Sequence, residues 1–285
     1  VPSPGLRARV EAIPGTPLPH GILGGCADII DVTDEEIHQL NGVEWLSLGC
    51  CPVRDTDWCA DEESPGEESP GQVVGSSPQK DFCSPELEHA VPHSIYAGAV
   101  CSTMGWSYAE AVEQVTATLE LGEQRAIEAA FWRDTLAPRA VDLTPPGGPV
   151  NAAVGVAALE GCLAETYGGV GVLHVPAGAA ALLGCCNILS LTNGTPSTLA
   201  GNCAIIGAGY SYENSGPGGI PADPGTAWLY ISGPVLLRRG PVDVIPDRAG
   251  PSIDRRYNDQ RVLAERTVVV GTTCSICAIN VALCP

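Results

Sequence analysis

Lysine is almost missing from this chain: Lys80 is the only one in 285 residues. The 14 basic residues face 33 acidic ones, for a formal charge of −19. A surface so short of cations repels phosphate, which argues against sequence-specific DNA or RNA binding. It still permits a protein that encloses nucleic acid without gripping it. Phenylalanine is nearly as scarce, with only Phe82 and Phe131, so the core is expected to rest on Val, Leu, Ile, Ala and Cys. No apolar run approaches the ~20 residues of a membrane span, and no secretory signal is evident. Position 1 is Val, as expected if an initiator Met was removed or a longer precursor was processed.

What the chain does contain is turns and sulfur. There are 34 Gly and 25 Pro, many between short apolar runs, which predicts many turns and much β-structure. An apolar fraction of 45% excludes global disorder, and the length allows a real core. The 13 cysteines are odd in number, so at least one is a free thiol or pairs between chains. Buried thiols are expected in the C-terminal half and bridges in the N-terminal half.

Residues 1–25, with PSPG and IPGTPLPHGILGG, read as an extended arm whose order depends on neighbours. DVTDEEIHQL (31–40) predicts a short helix capped by Thr33 or Asp31. Asn41-Gly42 marks a turn before short strands. The acidic, Pro/Gly-rich residues 61–81 predict a long surface loop, and HAVPHSIYAGAVC (89–101) a strand held to a sheet edge by its prolines. Residues 107–133 carry the strongest helix signal: a Ser107/Glu110 capping box, then Val112, Val115, Leu119, Ala126, Ile127, Ala130 and Phe131 at helical spacing. A second helix over 150–167 should stop at Gly168-Gly169. A buried strand (171–175), a short helix (176–183) and a series of strands follow, with a turn at Asn193-Gly194.

Chemistry is harder to find. Cys274-x-x-Cys277 has redox spacing, but residues three apart on one strand point to opposite faces. Cys277, Ile279, Val281 and Leu283 then share one face, with Ile276, Ala278, Asn280 and Ala282 on the other, so the cysteines are expected to be packing residues. A turn at 272–275 would weaken that reading. Cys50, Cys51, Cys59, Cys83, His89 and His93 are the only plausible metal set, and their spacing matches no zinc pattern. A Cys59–Cys83 disulfide closing the acidic loop is the better expectation. GAGY and GGVGVLH lack the dinucleotide fingerprint, and no nucleophile elbow exists. Glu120, Glu123 and Glu128 on the long helix are expected on a solvated face. No catalytic, cofactor-binding or metal site is expected, and the chain is not expected to be an enzyme.

The order of elements resembles the Hong Kong 97 fold of tailed-phage major capsid proteins. LGEQRAIEAAFWRDTL is similar to the end of that family's spine helix, and LHVPAGAAALL to its strand with a Pro-started helix. GTAWLYISGPVLLRRGPVDVIPD resembles the strand pair that follows. DRRYNDQRVLAERTVVVGTTCSICAINVAL, with its Glu265-Arg266 pair, resembles the closing segment. The resemblance implies an α+β fold with an N-terminal arm (1–40), an extended loop with flanking strands (41–101), and a spine helix with peripheral elements (102–149). An axial domain (150–225) and returning strands, mainly peripheral (226–285), would complete it. It also implies self-assembly into hexamers and pentamers of an icosahedral head around double-stranded DNA, built in the host cytoplasm and ending in the virion. Portal protein, with decoration or scaffold proteins, would be partners, and no membrane is involved. Some relatives form Lys–Asn crosslinks, for which only Lys80 could donate. The alternatives are an encapsulin-like compartment and a cysteine-rich extracellular β-protein that binds a ligand or surface, with mostly bridged cysteines.

Overall fold

The computed structural model describes residues 13, 15–49, 51, 53, 54, 82–103, 105–185 and 187–283. Cys50, Cys59, Lys80 and the whole acidic stretch 61–81 lie outside the described residues.

The long helix α1 runs Tyr108–Phe131, about 36 Å at the standard rise. Its start is fixed by the expected capping box: Glu110 N donates to Ser107 Oγ at 3.3 Å and Ser107 N to Glu110 Oε2 at 2.8 Å. Val115, Leu119, Ile127 and Phe131 are buried, as their spacing requires. After Phe131 the helix widens into a π turn, Trp132–Leu136, and ends in α2, Ala137–Arg139. It therefore continues six residues past the expected end at 133.

Two sheets meet under this helix. In the six-stranded sheet, β14 (Asp259–Thr272) is the central member. β4 (Pro92–Ser102) pairs with it antiparallel along its whole length and forms an edge, where prolines lose no ladder bond. β11 (Val235–Arg239), β12 (Asp243–Ile245) and β13 (Ile253–Asp254) share the opposite side of β14. β1 (Ala27–Asp31) adds in parallel beyond β11, so a piece of the expected arm is part of the sheet. Val262, Ala264, Val268 and Val270 alternate along β14 toward α1.

The seven-stranded sheet has the order β5 (Val141–Asp142), β15 (Ile276–Ala282), β10 (Thr226–Ser232), β6 (Val172–Pro176), β9 (Cys203–Gly207), β8 (Thr195–Ser197) and β7 (Ser190–Thr192). α3 (Ala152–Thr166) and α4 (Ala180–Cys185) lie on one face. α1 and α5 (Ala208–Tyr212) cover the other. The expected alternation on β15 holds: Cys277, Ile279 and Val281 enter the α3 core, Ile276 and Ala278 the α1 core. Gly168 ends the α3 region at φ 72°, the left-handed conformation expected of it.

β10 and β15 pair in this sheet, then the same two runs of chain pair again as β11 and β14 in the other. Between them only Gly233-Pro234 and Thr273–Ser275 are outside the ladders, and Gly233 N donates to Ser275 O at 3.3 Å. Residues 226–282 thus thread both sheets. The buried residues are mostly Val, Leu, Ile and Ala, as expected, with a few aromatics among them. Trp132, Tyr210, Tyr230 and Phe131 are the largest fully buried side chains, and Trp132 meets Tyr230 edge-on at 4.4 Å.

Candidate functional site

The carboxylates expected on a solvated face of α1 divide. Glu120 is exposed, but Glu123 and Glu128 are 5% and 0% exposed. A solvated face is the default for helix carboxylates, but Glu123 stands in the buried row between Leu119 and Ile127, and Glu128, on the other side, is covered by α5. Glu123 receives Arg239 Nη1 at 2.8 Å and Arg266 Nη1 at 2.8 and 3.0 Å. Arg239 also clasps Asp31 at 2.7 Å, so β1, β11, β14 and α1 are tied through one ion network. The side chains of Arg239 and Arg266 keep 23% and 17% exposure, which softens the cost of losing their partner. Glu123→Gln is expected to lower stability by about 2–3 kcal/mol, seen as a lower urea midpoint at unchanged m-value.

Glu128 holds the segment around Ile22. Its Oε1 accepts Ile22 N at 3.0 Å and its Oε2 accepts Gly209 N at 2.9 Å. One turn earlier Gln124 Nε2 donates to Leu18 O at 3.0 Å, and Ile206 N donates to His20 O at 2.7 Å. Burial pushes the Glu128 carboxyl up to about 7 against the pull of these backbone amides. The glycines of GAGY serve this contact: a Cβ at Gly209 would collide with the Arg125 carbonyl and Glu128 Cβ. Close helix packing accounts for them without a phosphate ligand.

A sealed polar knot sits beside this contact. His174 is fully buried, with Nδ1 3.0 Å from Tyr210 Oη and Nε2 2.9 Å from Ser232 Oγ. Burial lowers its pKa to about 3, so the ring stays neutral. Ser232 Oγ donates onward to Gly233 O at 2.9 Å. This Ser–His pair has no carboxylate behind it and no opening to solvent, so it is a tie within the core. Among the described residues no group of three His, Cys, Asp or Glu could hold a metal. His93 faces Asp134 at 3.9 Å.

A short two-stranded neck flanks the segment expected to be an extended loop. β2 (Val43–Leu46) and β3 (Leu87–Ala90) pair antiparallel, Val43 opposite Ala90 and Leu46 opposite Leu87. Trp45 and Ala90 lie over Gly271, where any Cβ would clash. Arg139 anchors the neck to the end of α2 through Glu88, at 2.7 and 2.8 Å. Above it Cys83 is bridged to Cys51. This corrects the Cys59–Cys83 expectation. Cys83 is bridged, but to Cys51, a few residues past the end of β2, and the two Cα atoms lie 5.7 Å apart.

The other cysteines correct a second expectation. Cys277 is indeed buried on a strand, but it is bridged to Cys162 of α3. Cys274 lies in the break between β14 and β15 and is also disulfide-bonded. Cys26 is bridged to Cys203. Bridges therefore reach into the C-terminal half, where buried thiols were expected. No sequence signal could have found these pairs, since each joins elements brought together only by the fold.

The outward face of β4 and β14 is open. Gly98, Val100, Ile245, Pro246, Ile253 and Leu263 line a shallow groove of about 840 Å³, and Tyr96 and Val100 are 68% and 64% exposed. A monomer gains nothing from so much bare apolar surface.

No family model and no curated protein matches the chain. Solved structures do, over nearly their whole length. One from Mycobacterium phage Che8 is 13% identical, with 98% of this chain and 97% of that one aligned at a TM-score of 0.54. The capsid of a native GTA particle is 15% identical over 97% and 95%, at 0.52. The holo-SrpI encapsulin complex from Synechococcus elongatus PCC 7942 is 12% identical over 99% and 95%, at 0.51. With its spine helix, its two sheets sharing one ribbon and its β2/β3 pair, the chain has the Hong Kong 97 fold.

Proposed function

We propose that this protein is the shell subunit of a tailed-phage head, assembling through hexamers and pentamers into an icosahedral container for double-stranded DNA. The observation that carries the reading is the end-to-end likeness to phage and GTA capsid structures, at 97–98% of this chain. The open β4/β14 face and the anchored neck support it, because both offer surface to other copies. Each such contact is weak alone, and closure of many identical ones stabilises the whole. The net charge of −19 suits a wall that does not hold its contents fast. Assembly occurs in the host cytoplasm, and portal, scaffold and decoration proteins are the partners. Lys80, the one candidate crosslink donor, lies outside the described residues.

The encapsulin likeness supports a second reading, a compartment holding protein cargo. The test is electron microscopy of the purified protein with analysis of its contents. Megadalton icosahedral particles that package DNA are expected. Particles filled with one protein and no DNA would move the assignment to a compartment, and a persistent monomer would remove both readings.

A further inference from the structure

We infer that the Cys26–Cys203 pair is a redox-closed latch, which fastens the N-terminal arm and clamps the two sheets together once the protein leaves reducing surroundings. The inference rests on the shell reading for its biological setting, since assembly would then precede release.

The argument begins with where the pair sits. Cys26 immediately precedes β1, whose residues Ala27–Asp31 hydrogen-bond into the six-stranded sheet. Cys203 opens β9 of the seven-stranded sheet. The bridge joins positions 177 residues apart and spans from one sheet to the other. Without it, the segment from Leu18 to Ile22 is held by the buried Ile22 side chain and by three hydrogen bonds to the body: Gln124 Nε2 to Leu18 O, Ile206 N to His20 O, and Ile22 N to Glu128 Oε1. Gly24 and Gly25 then follow, and Gly25 has an open left-handed backbone at φ 106°. Such a segment can open locally. Both cysteines are only partly buried, so a small redox partner can reach them. The buried Cys277 in its bridge to Cys162 is far less accessible.

The chemistry balances simply. Two thiols become one disulfide, giving up two electrons and two protons. The acceptor is a small-molecule disulfide, which is cleaved to two thiols by exchange through a mixed disulfide. Reduced glutathione in a cytoplasm runs the reaction backwards, and an oxidising medium runs it forwards.

The test compares assembled protein kept in a phosphine reductant with the same protein after oxidised glutathione. Peptide mapping should find Cys26 linked to Cys203 only after oxidation. Amide hydrogen exchange at Ile22 and Ala27–Asp31 should slow at least tenfold. Cys26→Ser should lose that slowing while the β4 and β14 amides keep theirs. If Cys26→Ser fails to fold, the reduced and oxidised wild type still provide the comparison. Both cysteines remaining alkylatable after oxidation, or a bridge that forms without slowing exchange in the arm, would overturn the latch. A protein that shows the full redox response but no particles upholds the latch and removes the shell reading, so the two fail separately.

Discussion

Glu128→Ala should destabilise the protein by about 4 kcal/mol, because it strips the acceptor from the buried amides of Ile22 and Gly209 and leaves a cavity. Glu128→Gln should cost less, about 1–2 kcal/mol, since one oxygen remains but an amide NH2 must face the other N–H. The pH dependence is the more discriminating result. Glu128 sits near 7 in the folded protein against an ordinary 4.5, so its contribution is full below pH 4.5 and is lost as pH rises to 7. His174 sits near 3 against an ordinary 6.5, so its contribution is full above pH 6.5 and is lost as pH falls toward 3. Between these ordinary values the two slopes oppose one another, each about 3 kcal/mol across the window. Wild-type stability should therefore be nearly flat from pH 4.5 to 6.5. Glu128→Gln should make it rise with pH there, and His174→Gln should make it fall. Urea unfolding at three pH values tests both signs, and a wild-type slope unchanged by either variant would refute the pairing. Asp31, whose carboxyl is lowered by Arg239, is largely solvated and acts only below its ordinary 3.8.

Cys277→Ala should cost about 4 kcal/mol under oxidising conditions and only about 1 kcal/mol in reductant. The bridge to Cys162 closes a separation of 115 residues, for which the chain-entropy model gives an upper bound of about 5 kcal/mol. A buried thiol with no covalent partner would cost the same small amount in both conditions. Equal losses with and without reductant would return Cys277 to the role of packing residue that its strand position first suggested.

What could be read from the sequence was local. Ser107 and Glu110 announced the start of α1 because a capping box acts within one turn. Gly168 announced the stop after α3, Asn193-Gly194 the turn between β7 and β8, and Pro92 the edge position of β4. The alternation of β15 sorted its side chains correctly between two cores. What escaped was non-local. β1 is a strand only because β11, some 200 residues later, offers it an edge. Asp31, read as a helix cap, is held by Arg239 instead, and Thr33 makes no side-chain cap bond at the 3-10 helix Asp34–Asn41. Glu123 and Glu128 were read as solvated by default; the i, i+4 row of Leu119, Glu123 and Ile127 could have flagged the first, while the cover of α5 over Glu128 is non-local. Resemblance supplied the fold where periodicity could not, and it said nothing about which cysteines would meet.

The ribbon shared by the two sheets has a mechanical consequence. Two paired strands are stiff within their own plane and yield across it, and here the ladder is interrupted at one line only, Gly233-Pro234 beside Thr273–Ser275. That line is a hinge with two adjacent pins. The ladder leaves the angle between the sheets free at that line, and the core they share beneath α1, with the Cys26–Cys203 bridge, fixes it. Thr272 Oγ1, donating to the Gly233 and Pro234 carbonyls at 3.1 and 3.0 Å, stiffens the pivot itself. The angle between the sheets is thus set along a single line of the chain, and everything on either side of it moves or rests as one piece with its own sheet.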